Sequence, residues 1–183
     1  MIPSGLYGMV DPTFGDPRRQ VALLAEEGVG ILQLRCKGWP SHELAALARW
    51  SAGLGPIVVV NDDVQAAAAA ECMVHLGQGD GATTLPFGRS THDLGQVRAA
   101  GPAAYVGFGP VFATSTKATG LRGRGPGALA RAVAAASMPV VAIGGITPEN
   151  LGRVRATGVH GWAVIGAIWT AGDPRSVVRA MLR

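Results

Sequence analysis

The chain has 183 residues, 48% of them apolar and 15% charged, with a formal net charge of +4. This balance excludes a disordered chain and supports one domain with a core of its own. No apolar run approaches the ~18 residues of a membrane-spanning helix, so no membrane partner is expected. The N-terminus lacks a basic segment leading into an apolar stretch, which makes the cytoplasm the expected location. Cys36 and Cys72 fall in different expected strands. A disulfide between them is allowed but not needed, and reduced thiols are the default. The positive charge suggests an anionic partner. Arg98, Arg131, Arg153, Arg155, Arg175 and Arg179 are spread over helical stretches and read as solvated faces. A small phosphorylated molecule is therefore favoured over nucleic acid.

The first strand is expected at 5–10 and the first helix at 17–27. A second strand, 30–34, runs out through Gln33-Leu34-Arg35-Cys36-Lys37. Arg35 and Lys37 alternate around Cys36 and share one side of the chain. Two cations at a strand exit could hold a polyphosphate, the arginine in fork geometry; a solvated strand end with a salt bridge would leave the same pattern. A helix over 41–52 follows, with Ser41 as a plausible N-cap. The third strand, 57–60, runs into Asn61-Asp62-Asp63 and a helix over 64–71. The fourth, 72–76, carries His75, read as a structural histidine, and ends in Gly77-Gln78-Gly79-Asp80.

Asp62 and Asp80 are the candidate metal ligands. Magnesium takes one or two carboxylates and completes its shell with phosphate oxygens and water. The competing readings are a helix cap for Asp62 and a turn residue for Asp80. No Cys/His spacing resembles a zinc site. The fifth strand, 88–91, places Ser90 and then His92 at its end, and His92 is a candidate acid–base group. Only residues 77–87 separate the fourth and fifth strands, close to the minimum for a parallel crossover. Gly77, Gly79, Gly81 and Pro86 leave little room for a helix there. The fourth helix is expected to be truncated or absent, and the bared wall could serve a homo-oligomer.

A helix over 94–100 and a strand over 104–108 come next. Phe112-Ala113-Thr114-Ser115-Thr116-Lys117 then opens a long loop that runs on to Pro126, a candidate lid. A helix over 127–136 leads to the seventh strand, 140–143, which ends in Gly144-Gly145-Ile146-Thr147-Pro148. Glycines at a strand exit let backbone N–H groups approach a phosphate, and a following helix adds a positive dipole. Thr147 and Pro148 suit the cap and first turn of a helix over 148–156. The eighth strand, 161–165, ends at Gly166, and Pro174 opens a last helix over 174–182. Strict strand–helix alternation means a parallel α/β sheet, and eight units mean a (β/α)8 TIM barrel with a truncated fourth unit. In that architecture the reactive groups sit at the C-terminal ends of the strands.

The segments Gln33-Leu34-Arg35-Cys36-Lys37, Asn61-Asp62, His75-Leu76-Gly77-Gln78-Gly79-Asp80, Ser90-Thr91-His92, Tyr105 through Lys117, and Val141 through Asn150 resemble the thiamin phosphate synthase family, in that family's order and over nearly the whole chain. The resemblance implies a transferase. It would join a hydroxymethylpyrimidine diphosphate to a thiazole phosphate and release pyrophosphate, with Mg2+ helping to bind the diphosphate. It implies Asp62 and Asp80 as metal ligands. Gln33, Arg35, Lys37, Asn61, Ser90 and Lys117 would hold the pyrimidine diphosphate. Thr114, Thr116, Gly145, Ile165 and Gly166 would hold the thiazole phosphate. Cys36 and Gly79 stand where the family commonly has acidic residues, and Gly166 where a serine is frequent. Two other readings remain open: a metal-free thiazole tautomerase using His92, and a non-catalytic phosphate-binding regulatory barrel.

Overall fold

Each strand is a short run of aliphatic and β-branched residues buried on both faces, because alternate side chains enter the barrel while their neighbours meet the helices. The computed structural model describes residues 1–114 and 123–183. The strands are β1 (Gly5–Val10), β2 (Ile31–Leu34), β3 (Ile57–Asn61), β4 (Met73–Leu76), β5 (Phe87–Thr91), β6 (Tyr105–Phe108), β7 (Val140–Ile143) and β8 (Gly161–Val164). They pair in chain order, all parallel, and β8 closes on β1. The expected (β/α)8 barrel is the fold observed.

The helices are α1 (Pro17–Glu26), α2 (Ser41–Ala52), α3 (Val64–Ala69), α4 (Leu94–Arg98), α5 (Gly125–Ala135), α6 (Leu151–Arg155), α7 (Gly166–Trp169) and α8 (Pro174–Leu182). Aspartates start four of them. Asp16, Asp63, Asp93 and Asp173 each accept a backbone N–H of the first turn, and Pro17 and Pro174 occupy a first-turn position that needs no donor. The two expected N-caps, Ser41 and Thr147, are not the caps observed. Ser41 is the first residue of α2, not its cap, and its hydroxyl donates to Asp63 at 2.7 Å. Helix α6 starts at Leu151 rather than Pro148, because the Asn150 side chain takes the Thr147 N–H and holds residues 145–150 in a turn.

No helix lies between β4 and β5. The wall there is nevertheless covered: Val74 and Leu76 are fully buried, and Leu85 and Phe87 pack against the same core. Arg89 lies over the Phe87 ring at 5.2 Å. The helical arginines are also less free than expected. Arg175 and Arg179 both pair with Glu27, and Arg175 reaches Glu26 as well, so α8 is clamped to the end of α1. Arg155 covers the Trp162 ring and Arg153 the Phe112 ring. Among the described residues no helix is long and apolar enough to cross a membrane.

Two hydrophobic layers result. The larger lies between the sheet and the helices, with Leu24, Leu32, Val60, Val106, Leu129 and Met181 at its centre. The smaller fills the barrel and includes Tyr7, Met9, Ile31, Val59, Tyr105 and Val141. Tyr105 fits inside only because its neighbour on β5 is Gly88: a Cβ there would lie 2.1 Å from the tyrosine Cζ. Gly88→Ala is expected to cost about 1–3 kcal/mol of stability, read as a lower denaturation midpoint at unchanged slope. Gly107→Ala, whose Cβ would meet His75 at 3.3 Å, should cost less.

Candidate active site

The inward parity that places Ile31 and Val59 in the barrel floor places Gln33 and Asn61 one step higher, at the C-terminal rim. His75, Ser90, Gly107 and Ile143, near the ends of their strands, line the same side. Above them opens a cavity of about 1020 Å³, lined by every strand end. Gln33, Arg35, Lys37, Asn61, Asp62, Asp80, Ser90, Thr114, Gly144, Gly145, Ile165 and Gly166 all line it. The structure thus gathers twelve of the fourteen expected site residues in one cup. Thr116 and Lys117, with most of the expected lid, lie outside the described residues.

Arg35 is held rather than loose. One guanidinium nitrogen donates to Asp11, which is buried at the end of β1. Asp11 in turn accepts the Thr13 N–H at 3.0 Å and the Thr13 hydroxyl at 2.7 Å. Burial opposes ionisation of Asp11, but those donors and the Arg35 charge outweigh it and hold the carboxyl below its ordinary value. Arg35 Nε is buried with no hydrogen-bond partner among the described residues. A buried guanidinium N–H is costly to leave unpaired, and an anionic oxygen would satisfy it. Lys37, two residues on, is exposed and forms no ion pair among the described residues. Between them Cys36 is buried, and its thiol is pushed up to about 12 by burial and by the Asp11 charge, so it is inert. Neither cysteine is disulfide-bonded; Cys36 follows β2 and Cys72 lies just before β4.

Asp62 does not cap α3; Asp63 does, accepting the Ala66 N–H at 2.8 Å. Asp62 instead sits in the left-handed backbone region at φ 63°, a conformation that costs a non-glycine residue and is found where a side chain must be aimed. Asp80 does take the turn role, accepting the Gly77 N–H through one oxygen. Both carboxylates are exposed on the cavity wall. Among the described residues no three His, Cys, Asp or Glu side chains gather into a metal cage. Two open carboxylates on a cavity wall that also carries Arg35 and Lys37 are a donor set that would fit magnesium, which retains water and phosphate oxygens, better than zinc.

On the other half of the barrel, Gly144 and Gly145 have φ values of 98° and 64°. A Cβ on Gly145 would lie 2.4 Å from the Ala113 carbonyl oxygen. Only glycine permits both the turn and the close approach. Phe112 N–H donates to the Gly144 carbonyl at 3.0 Å, so the loop after β7 is strapped to the loop after β6. The short helix α7, absent from the sequence-based expectation, begins directly at Gly166. His92 lines the cavity, and its Nδ1 lies 2.7 Å from the Gly109 carbonyl, which can only accept. The proton of Nδ1 is therefore committed there.

Sequence reasoning missed Asp11, Tyr7 and Tyr105. Asp11 was findable, since it follows β1 as Arg35 follows β2. The two tyrosines lie within apolar strands, where nothing local sets them apart. His75, read as structural, is half-buried in the cavity wall, its Nδ1 2.8 Å from Tyr105 Oη and its Nε2 2.9 Å from Ser90 Oγ.

Fold and site together define a (β/α)8-barrel enzyme with its reactive groups at the C-terminal rim. The sequence profile described as thiamine monophosphate synthase matches residues 6–168. The thiamine-phosphate synthase of Laribacter hongkongensis is 40% identical over 99% of this chain and 95% of its own. That of Methanoculleus marisnigri is 36% identical over 96% and 92%. The thiamine phosphate pyrophosphorylase of Pyrococcus furiosus superposes with a TM-score of 0.87 at 31% identity, over 97% of this chain and 93% of its own. The chain belongs to the thiamine monophosphate synthase family, transferases of thiamine biosynthesis whose substrates are small and phosphorylated.

Proposed function

We propose that the cavity condenses a hydroxymethylpyrimidine diphosphate with a thiazole phosphate, giving thiamin phosphate and pyrophosphate. The reading rests on one observation. Gln33, Arg35, Lys37, Asn61, Asp62, Asp80 and Ser90 come from four successive strand ends, β2 to β5, into one cavity where a buried Arg35 N–H lacks a partner. In this reading Gln33, Asn61 and Ser90 hold the pyrimidine, and Arg35 and Lys37 hold its diphosphate. Thr114, Gly144, Gly145, Ile165 and Gly166 hold the thiazole phosphate, in the position where barrels of this type bind phosphate, after strands seven and eight beside a short extra helix. Lys117 and Thr116 belong to the same two groups by family resemblance.

The bond between the pyrimidine methylene carbon and the diphosphate oxygen breaks first, and its electron pair leaves on the diphosphate. The aminopyrimidine ring supports the cation left behind. The thiazole nitrogen then supplies its lone pair to form the new C–N bond. Negative charge grows on the leaving oxygens, so Arg35 and Lys37 bind the transition state more tightly than the substrate. A bound magnesium, held by Asp62 and Asp80, would neutralise further charge on the diphosphate. Holding both substrates in one cup supplies orientation. No strong protein base is required.

The test is to incubate the purified protein with both phosphorylated substrates and Mg2+ and to follow pyrophosphate and thiamin phosphate. Stoichiometric formation of the two supports the reading. Metal-independent isomerisation of the thiazole phosphate alone would replace it with a tautomerase.

A further inference from the structure

Six side chains form one continuous hydrogen-bonded chain across the cavity floor. Gln33 Nε2 donates to Asn61 Oδ1 at 2.6 Å, and Tyr7 Oη donates to Gln33 Oε1 at 3.3 Å. Tyr7 and Tyr105 meet hydroxyl to hydroxyl, Tyr105 meets His75 Nδ1 at 2.8 Å, and His75 Nε2 meets Ser90 Oγ at 2.9 Å. Each tyrosine is almost fully buried and has one hydroxyl proton to give. Both phenols stay neutral, since burial raises each of them.

Proton counting then sets every direction. Tyr7 gives its proton to Gln33, so Tyr7 must accept from Tyr105. Tyr105 has then spent its proton and must accept from His75 Nδ1–H. A neutral ring would then be left with Nε2 as an acceptor for the Ser90 hydroxyl proton. With every hydroxyl proton used inside the chain and a neutral imidazole, reversing any one bond reverses all of them, which leaves two self-consistent polarities. In the polarity that starts from Tyr7 donating to Gln33, Ser90 Oγ is left as an acceptor and the Asn61 amide NH2 as a donor.

We propose that the Tyr7–Tyr105 hydroxyl pair is a positioning device that fixes this polarity, presenting an acceptor at Ser90 and a donor at Asn61 to a ring that carries an amino group and a ring nitrogen. The tyrosines act through His75 and Gln33. The substrate part of the proposal rests on the function proposed above; the polarity part does not.

The decisive measurement is the tautomer of His75 in the ligand-free protein, read from the side-chain nitrogen resonances of 15N-histidine-labelled protein and assigned with His75→Gln. The unsubstituted protein should show the neutral Nδ1–H form. In Tyr7→Phe the ring packing is kept, but Tyr105 loses its acceptor. A buried hydroxyl seeks a partner, so Tyr105 should donate to His75 Nδ1 and drive the ring to the Nε2–H form. Tyr105→Phe should give the same Nε2–H form by a separate route, because a lone pair is cheaper to bury unpaired than an N–H, and it serves if Tyr7→Phe does not fold. Any other pair of signatures, including an unchanged tautomer in both variants, overturns the proposal. With the synthase assay, Tyr7→Phe should raise KM for the pyrimidine diphosphate about tenfold and leave KM for the thiazole phosphate within about twofold. An equal rise in both would mark a merely structural role. An unsubstituted protein without synthase activity would defeat the proposed function while leaving the tautomer result to stand or fall by itself.

Discussion

Asp62→Asn and Asp80→Asn are each expected to lower magnesium-dependent turnover by roughly 10²- to 10³-fold, the scale of several kcal/mol of charge stabilisation. Asparagine is the informative replacement. It tolerates the left-handed backbone at Asp62, and it can keep the Gly77 N–H bond at Asp80, so only the charge is removed. Both side chains are exposed, and thermal stability should hardly move. Two ligands of one ion act as a unit. The double variant should therefore be no slower than the slower single one, where independent roles would multiply. Multiplying losses, or full activity in both single variants with a chelator present, would remove these carboxylates from the metal assignment.

Arg35→Ala should lower kcat and kcat/KM together by about 10²-fold, because the charge it meets grows mainly in the transition state. Arg35→Lys should not recover the loss. A lysine has one ammonium to divide between Asp11 and a phosphate, whereas the guanidinium reaches Asp11 with one nitrogen and keeps Nε for the cavity. The partner variant, Asp11→Ala, tests the other end. The Arg35 and Asp11 side chains are only 14% and 4% exposed, so removing the carboxylate strands a cation and should cost about 3 kcal/mol of stability. The acid dependence follows from the lowered value at Asp11. A carboxyl depressed in the folded state stabilises above its unfolded value and loses that contribution as pH falls through the folded one. The stability gap between the natural chain and Asp11→Ala should be flat near neutrality and shrink below about pH 4. A gap independent of pH would mean that Asp11 acts by packing alone.

The site was legible where its signal is local. Gln33, Arg35 and Lys37 stand out because polar residues at alternate positions break an apolar run, and Gly144-Gly145 because paired glycines mark a turn. Asp62 carried two readings, and the sequence alone could not separate them. Three consecutive polar residues precede α3 and any could cap it; the backbone settles the matter by giving the cap to Asp63. Thr147 and Pro148 misled for a related reason. The side chain of Asn150 accepts the Thr147 N–H and donates to the Gly145 carbonyl, and the turn it holds delays the helix start to Leu151. Tyr7 and Tyr105 were not singled out, and His75 was read as structural, because strand periodicity cannot tell the inside of a barrel from its outside. Both environments are apolar, and only the pairing register says which parity points inward.

The order of apolar runs, glycines and helix-forming stretches determined the parallel barrel, its missing fourth helix and the rim on which chemistry would gather, since each of these follows from spacing along the chain. The lateral pairing of β1 with β2 and the closure of β8 on β1 decided the rest. It brought Asp11 to Arg35, and Tyr7 to Tyr105 across 98 residues. Hydrogen bonds and ion pairs act over a few ångströms, and no periodicity encodes which distant side chains will come that near.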